Sequence, residues 1–170
     1  HAFNVDMREY LRPFWKGDTV TNETVLLNSE GGQLLYQPDR ILSVRNYGLD
    51  TLYKEGVDYR MEGRKIIRLR GSAMPWQADS SFDKKDLAWF NDQSRWVVVS
   101  YVHHHRWKGP VPEDSGARLP RLMEKLRSGK PVTIVAYGSS ITRGMDVSGY
   151  EGVPPYMPTY VSSFVEGLRT

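Results

Sequence analysis

Between residues 18 and 70, short apolar runs alternate with polar positions and are separated by turn residues. The runs are rich in Val, Ile, Leu, Tyr and Thr, and this composition with a period of two is typical of β-strands. In the run GVDYRMEGRKIIRL, Glu62-Gly63 divides two extended segments, which predicts a β-hairpin. Strands recurring about every 8–12 residues favour a sandwich or barrel over parallel crossovers.

The segment RWVVVSYVHHH, residues 95–105, is the strongest predicted strand. Its unbroken Val97-Val98-Val99 predicts burial on both faces. The preceding stretch, residues 71–81, has small polar residues and Pro75, and is predicted to be a loop. We therefore expect residues 1–106 to form an antiparallel β-sandwich domain.

The character of the chain changes after residue 106. Three prolines and two glycines fall within RWKGPVPEDSGARLP, so residues 107–117 are predicted to be an extended linker. Apolar residues at helical spacing then predict a helix that ends at Gly129. A second helix is predicted by the same spacing within residues 157–169.

Between these two helices lies PVTIVAY, residues 131–137, which is almost wholly apolar. Such a short run is typical of a strand buried inside a parallel sheet. The order helix, strand, turn, loop and helix therefore indicates that residues 118–170 open an α/β domain.

Charge and composition exclude several classes of protein. The chain of 170 residues carries 23 basic and 20 acidic side chains, scattered without the basic stripe that nucleic-acid binders use. No apolar run approaches the roughly 18–20 residues that a membrane span needs. With no cysteine, disulfides and thiolate metal sites are excluded.

The location of the protein in the cell is weakly indicated. Absence of cysteine fits the cytoplasm and equally a bacterial exported protein without disulfides. The chain begins HAFNV, without Met and without a signal region, so either a leader was removed or the sequence begins internally. We expect a secreted or periplasmic location in preference to a cytoplasmic one.

The most informative motif is VTIVAYGSSITRGMDVSG, residues 132–149. A phosphate-binding loop has four residues between its two glycines and a lysine directly after the second glycine. Here five residues separate Gly138 from Gly144, and Met145 stands at the lysine position. The nucleophile elbow of the α/β-hydrolases, G-x-S-x-G, needs glycine where this chain has Thr142. Both interpretations fail.

The sequence Gly138-Ser139-Ser140-Ile141-Thr142, followed by Gly144, resembles the first sequence block of the SGNH (GDSL) hydrolases. The resemblance implies that Ser140 is the catalytic nucleophile and that Gly138, Ser139, Ile141 and Gly144 form the loop and oxyanion surroundings. It also implies a three-layer, flavodoxin-like α/β domain in residues 118–170. Ser139 departs from the family pattern, since the family usually has an Asp there that helps to hold the loop.

The order of β-rich segment, Pro-rich linker and hydrolase block is similar to that of bacterial SGNH esterases with an N-terminal jelly-roll-like domain. Several of these act on acylated carbohydrates, so the resemblance implies an ester substrate, with an acylated carbohydrate as the expected class. The general physics agrees, because α/β sheets bind ligands at the carboxyl ends of their strands and the following turn can direct N–H groups to an oxyanion. The competing interpretation is that Ser139 and Ser140 only cap a helix.

A nucleophilic serine needs a base, and this chain has no suitable histidine after Ser140. Its four histidines are His1 and the run His103–His105. In the resembled family, the oxyanion Gly and Asn and the closing Asp-x-x-His come later in the sequence. We therefore expect the chain to be the N-terminal part of a larger enzyme, with the Asp and His partners beyond residue 170, and to be inactive alone.

The histidine run also permits a metal site. Adjacent strand residues point to opposite faces, so only His103 and His105 could share one metal ion, and no carboxylate lies at a recognisable spacing. We expect a polar cluster at a strand end, with neither metal nor cofactor. His105 and Trp107 are predicted to lie at the domain junction, near the rim of the substrate site.

The five tryptophans leave a second function open. They could form a stacking platform for sugar rings or belong to the core and the domain junction. The alternative to an esterase is therefore a non-catalytic, carbohydrate- or protein-binding β-sandwich module. The tryptophans are Trp15, Trp76, Trp89, Trp96 and Trp107.

Overall fold

A computed structural model of the protein describes residues 12–77 and 95–169. Predictions that fall on residues 1–11, 78–94 and 170, including the position of Trp89, lie outside the described residues. Among the described residues the β-strands precede the helices along the chain. The strands are β1 (Thr19–Leu26), β2 (Gly32–Gln33), β3 (Arg40–Asn46), β4 (Leu52–Tyr53), β5 (Tyr59–Glu62), β6 (Lys65–Arg68) and β7 (Trp96–Val102).

The strands form two antiparallel sheets. The larger sheet has the order β1-β7-β3-β4 and the smaller has the order β2-β6-β5. β7 lies between β1 and β3, and its residues from Val97 to Tyr101 are all buried. The prediction of a strand covered on both faces is therefore confirmed.

The predicted hairpin is confirmed as β5 and β6. Glu62 pairs with Lys65, so the connecting residues are Gly63 and Arg64. Gly63 has a φ of +58°, a left-handed conformation that glycine adopts without steric cost.

Both sheets contribute side chains to one hydrophobic core. Val44, Val97 and Val99 of the larger sheet are fully buried, as is Ile66 of the smaller one. Each such side chain stabilises the fold by roughly 1.5–3 kcal/mol relative to its exposed state. The remaining buried members of this core are Val20, Val25, Leu27, Leu34, Tyr36, Tyr53, Tyr59, Met74 and Tyr101.

A polar network reaches from the half-buried Glu23 into this core. The Tyr101 hydroxyl donates to Glu23 Oε2 at 2.6 Å, and Glu23 Oε1 accepts the N–H of Leu35 at 2.7 Å. The N–H of Tyr36 donates to the Tyr101 hydroxyl oxygen at 3.1 Å. Burial raises the pKa of Glu23, although the hydrogen bond from Tyr101 opposes the shift. The network fixes the chain at Tyr36, whose ring then packs on the histidine run.

The helices follow a stretch without regular secondary structure at residues 103–115. A 3₁₀ turn (Gly116–Arg118) precedes α1 (Pro120–Arg127), and Gly129, with a φ of +64°, ends this first helix as the sequence predicts. The other helices are α2 (Ser140–Arg143), α3 (Ser148–Glu151) and α4 (Tyr160–Arg169).

The predicted buried parallel strand at residues 131–137 is not confirmed, because no strand forms there among the described residues. The segment belongs to neither sheet, and Val135 is 84% exposed and Tyr137 99% exposed. A strand needs a neighbour to satisfy its backbone hydrogen bonds. Every strand pair within the described residues lies before this segment in the sequence and is antiparallel. The one parallel contact among them is an isolated bridge between Glu55 and Tyr59. The described part of the chain therefore contains no α/β sheet.

Candidate functional site

Ser140 is the first residue of α2 and follows the exposed apolar segment after Gly138 and Ser139. The preceding residue, Ser139, is extended, with φ −91° and ψ −157°, and its side chain makes no hydrogen bond to the helix end. Ser139 is therefore the N-cap residue of α2 by position, as the competing interpretation expects, but it does not cap the helix through its side chain.

The Ser140 side chain is exposed, and its hydroxyl has no hydrogen-bond partner among the described residues. The first N–H of α2 that donates within the backbone is that of Arg143, which reaches the Ser139 carbonyl oxygen at 3.1 Å. The N–H groups of Ile141 and Thr142 belong to the first turn of α2, where backbone donors have no partner within the helix. Ser140 thus lies at the end of α2 that carries these free backbone donors.

Two glycines of the motif are required by close contacts. A Cβ atom at Gly138 would fall on the side chain of Thr142, and a Cβ atom at Gly144 would fall on that of Thr159. Gly144 also has a φ of +77° and ends α2. Thr142 in turn accepts a hydrogen bond from the Tyr160 hydroxyl at 3.2 Å, so the loop around Ser140 is tied to the start of α4.

The chain between α2 and α4 is tied to itself by Ser148. Its buried hydroxyl accepts the N–H of Met157 at 2.9 Å, while the Met157 carbonyl accepts the N–H of Gly149 at 3.0 Å. A cavity of about 540 Å³ adjoins this loop, and Ser140 does not line it. The cavity is lined by Tyr47, Asp146, Val147, Ser148, Met157, Pro158, Tyr160, Ser163 and Phe164.

A second cavity, of about 580 Å³, lies where the chain enters β1 and leaves β7. We call it the histidine pocket. It is lined by Phe14, Trp15, Gly17, Asp18, His103, His104, His105, Arg106 and Trp107.

The three histidines of the run have different surroundings. His103 is 2% exposed, and neither ring nitrogen has a hydrogen-bond partner among the described residues. His104 is exposed, and its Nδ1 lies 2.7 Å and 2.9 Å from the two carboxylate oxygens of Asp39. His103 and His105 both stack on Tyr36, with ring centroids 4.1 Å and 5.9 Å away. They share one side of the strand, as the two-residue period predicts.

Burial lowers the pKa of His103, and the neighbouring His105 lowers it further. The imidazole is therefore neutral at pH 7, with one nitrogen as donor and the other as acceptor. No group of three or more metal-ligating side chains occurs in the parts of the chain that the structure describes.

The structure brings together the two predicted rim residues, His105 and Trp107, but Ser140 does not line the same pocket. No sequence pattern distinguishes Phe14, Asp18 or Tyr36, because each is remote in sequence from the histidine run. Trp15 is a candidate from sequence only as one of five tryptophans.

The described tryptophans divide between two environments. Trp15 and Trp107 line the histidine pocket, and Trp107 also packs against the core. Trp76 is 48% exposed with the Arg68 guanidinium 5.9 Å from its ring, and Trp96 is half-buried on β7. A shared stacking surface can therefore involve Trp15 and Trp107, but Trp76 stands apart from it.

No helix among the described residues combines the length and the apolar character needed to cross a bilayer. Comparisons of the chain with protein-family models, with curated proteins and with solved structures found no match.

Proposed function

We propose that the protein is a serine ester hydrolase of the SGNH type, with Ser140 as nucleophile and an acylated carbohydrate or similar ester as substrate. The observation that carries the proposal is the exposed, unpartnered hydroxyl of Ser140 at the start of α2. In this role the Ser140 hydroxyl gives its proton to a base as its oxygen attacks the ester carbonyl, and backbone N–H groups at the start of α2 stabilise the oxyanion that develops. The alcohol then leaves with that proton, and water hydrolyses the acyl-serine to release the acid and restore the hydroxyl.

The contacts of the motif support this role. Gly138 and Gly144 hold no side chain because Thr142 and Thr159 occupy the adjacent space. Ser140 therefore lies on a loop that is compact because its two glycines pack closely against threonine side chains. The Ser140 hydroxyl stays accessible to a base and a substrate.

We further propose that the base is supplied by chain outside these 170 residues, and that residues 131–137 become a strand of the completed α/β sheet. Two observations support this. All four histidines precede Ser140 in the sequence, and Ile134, Val135 and Tyr137 expose apolar surface that a parallel sheet would bury. The β region then takes the role of the N-terminal jelly-roll-like domain.

The test is turnover of p-nitrophenyl acetate by the 170-residue chain and by the gene's complete product. We expect no Ser140-dependent turnover by the chain alone, and turnover by the complete product that falls by at least about 10³-fold in Ser140→Ala. Ser128→Ala, at the exposed end of α1 and outside the motif, is the matched control and keeps most activity. Turnover that survives Ser140→Ala in the complete product would overturn the nucleophile, and Ser140-dependent turnover by the chain alone would overturn the external base.

A second candidate function is a binding module without chemistry. The observation that favours it is the histidine pocket, which is lined by residues within 14–18 and 103–107. This pocket therefore needs no residue of the Ser140 motif.

A further inference from the structure

The histidine pocket is built from rigid aromatic side chains. Phe14 packs edge-on against both Trp15 and Trp107, with centroid distances of 5.0 Å and 5.1 Å and interplanar angles of 86°. The Trp107 indole N–H donates to the Pro110 carbonyl at 3.1 Å, and Gly109 passes so close to the indole that a Cβ there would overlap it. The aromatic wall is therefore held in place before any ligand binds.

The size of the pocket suits a small molecule. Its volume of about 580 Å³ falls within the usual range of ligand sites, roughly 300–1,000 Å³. Phe14 remains exposed, and Trp15 and Trp107 remain half-buried, so aromatic surface is accessible at the wall.

The polar side of the pocket carries both charge signs. Asp18 and Arg106 are exposed at its edge, and together they contribute no net charge. A neutral ligand with several hydrogen-bonding groups matches this balance better than an anion or a cation does. His103 also lines the cavity, but its ring nitrogens are buried, so the polar groups open to a ligand are those of Asp18, His105 and Arg106.

We propose that the histidine pocket binds a pyranose ring of a neutral carbohydrate. A pyranose has a flat face of C–H groups that packs on an aromatic ring, and hydroxyls around its edge that both donate and accept hydrogen bonds. The first property matches Trp15 and Trp107, and the second matches Asp18, His105 and Arg106. This inference deepens the binding-module candidate, and it does not depend on catalysis by Ser140.

The test is titration of the 170-residue chain with xylohexaose, cellohexaose and mannohexaose, followed by tryptophan fluorescence and calorimetry. We expect at least one of the three to bind, and Trp15→Ala to weaken that binding by about tenfold or more. Trp76→Ala is the matched control, because Trp76 is exposed but lies outside the pocket. We expect the affinity of this variant for the sugar to stay within about twofold of wild type. Ser140→Ala binds as wild type does, which separates this proposal from the esterase.

Binding of none of the three sugars at about 10 mM would overturn the proposal. Equal loss of affinity in Trp15→Ala and Trp76→Ala, or loss in Trp76→Ala only, would overturn it as well. Thermal unfolding of each variant checks that it is folded. If Trp15→Ala is unfolded, His105→Ala replaces it with the same expected weakening, since His105 is exposed and its removal leaves the core intact.

Discussion

The side chain of Thr142 explains why the motif around Ser140 has the residues it has. Thr142 lies against Gly138 and accepts a hydrogen bond from Tyr160, so the residue before the serine pair can have no side chain. The same compactness leaves the Ser140 hydroxyl outside, without an internal partner. A catalytic serine differs from an ordinary surface serine because a base lies close enough to remove the proton of its hydroxyl.

Burial in the fold disfavours the protonated, charged form of His103. Burial, and after it the proximity of His105, lower the pKa of His103 below its unfolded value of about 6.5. The unfolded chain therefore binds a proton more readily than the folded one. The contribution of neutral, buried His103 to the free energy of unfolding is fully present above about pH 6.5. It is lost as the pH falls through the lowered pKa of the folded state.

We predict that His103→Phe reduces the acid sensitivity of the fold. The phenyl ring keeps the stacking on Tyr36 but binds no proton, so the drop in Tm from about pH 7.5 to about pH 5.0 becomes smaller than in wild type. The measurement is thermal unfolding of the 170-residue chain at both pH values, with His103→Gln as a second non-titrating variant. A pH dependence unchanged in both variants would show that His103 is not held neutral by burial.

At the scale of elements, two apolar runs of similar composition have opposite surroundings. β7 lies between β1 and β3 and is buried along its length, whereas residues 131–137 have no strand beside them. An apolar run is therefore buried as a strand only where neighbouring strands are present to pair with its backbone.

We predict that Val99→Ala and Val135→Ala differ sharply in stability. Val99 is fully buried, so the loss of two methyl groups costs about 2 kcal/mol of unfolding free energy. Val135 is largely exposed, so its truncation changes the unfolding free energy by less than about 0.5 kcal/mol. Urea unfolding of the 170-residue chain measures both. A cost at Val135 equal to that at Val99 would mean that the segment is buried in solution.

The same contrast shows which elements the sequence can predict. The β5–β6 hairpin, the strand β7 and the helix ended by Gly129 follow from local turn chemistry and periodicity, and all are observed. The run at 131–137 carries a strand pattern, but its state depends on a neighbour that sequence periodicity does not specify. The histidine pocket likewise joins residues 14–18 to residues 103–107, which only tertiary pairing of β1 with β7 brings together.

At the scale of the whole molecule, the described chain has a β-rich part with a shared core and a helical part with little buried surface. Few residues after Trp107 are buried, among them Ser148 and Ser163. The exposed apolar side chains concentrate in this second part, where Tyr160, Phe164 and Leu168 lie on α4. Exposed apolar surface of this extent is typical of an interaction surface, which agrees with the proposal that further chain completes the α/β domain.

The most direct test of the central claim is covalent labelling of the gene's complete product with a fluorophosphonate, followed by peptide mass mapping. A serine activated by a base gives up its proton, attacks the phosphorus centre, expels fluoride and retains the phosphonyl group, whereas an unactivated surface serine does not. We predict one adduct, on Ser140, that disappears in Ser140→Ala and persists in Ser139→Ala. A complete product that stays unlabelled, or that is labelled at another residue when Ser140 is intact, would contradict the assignment.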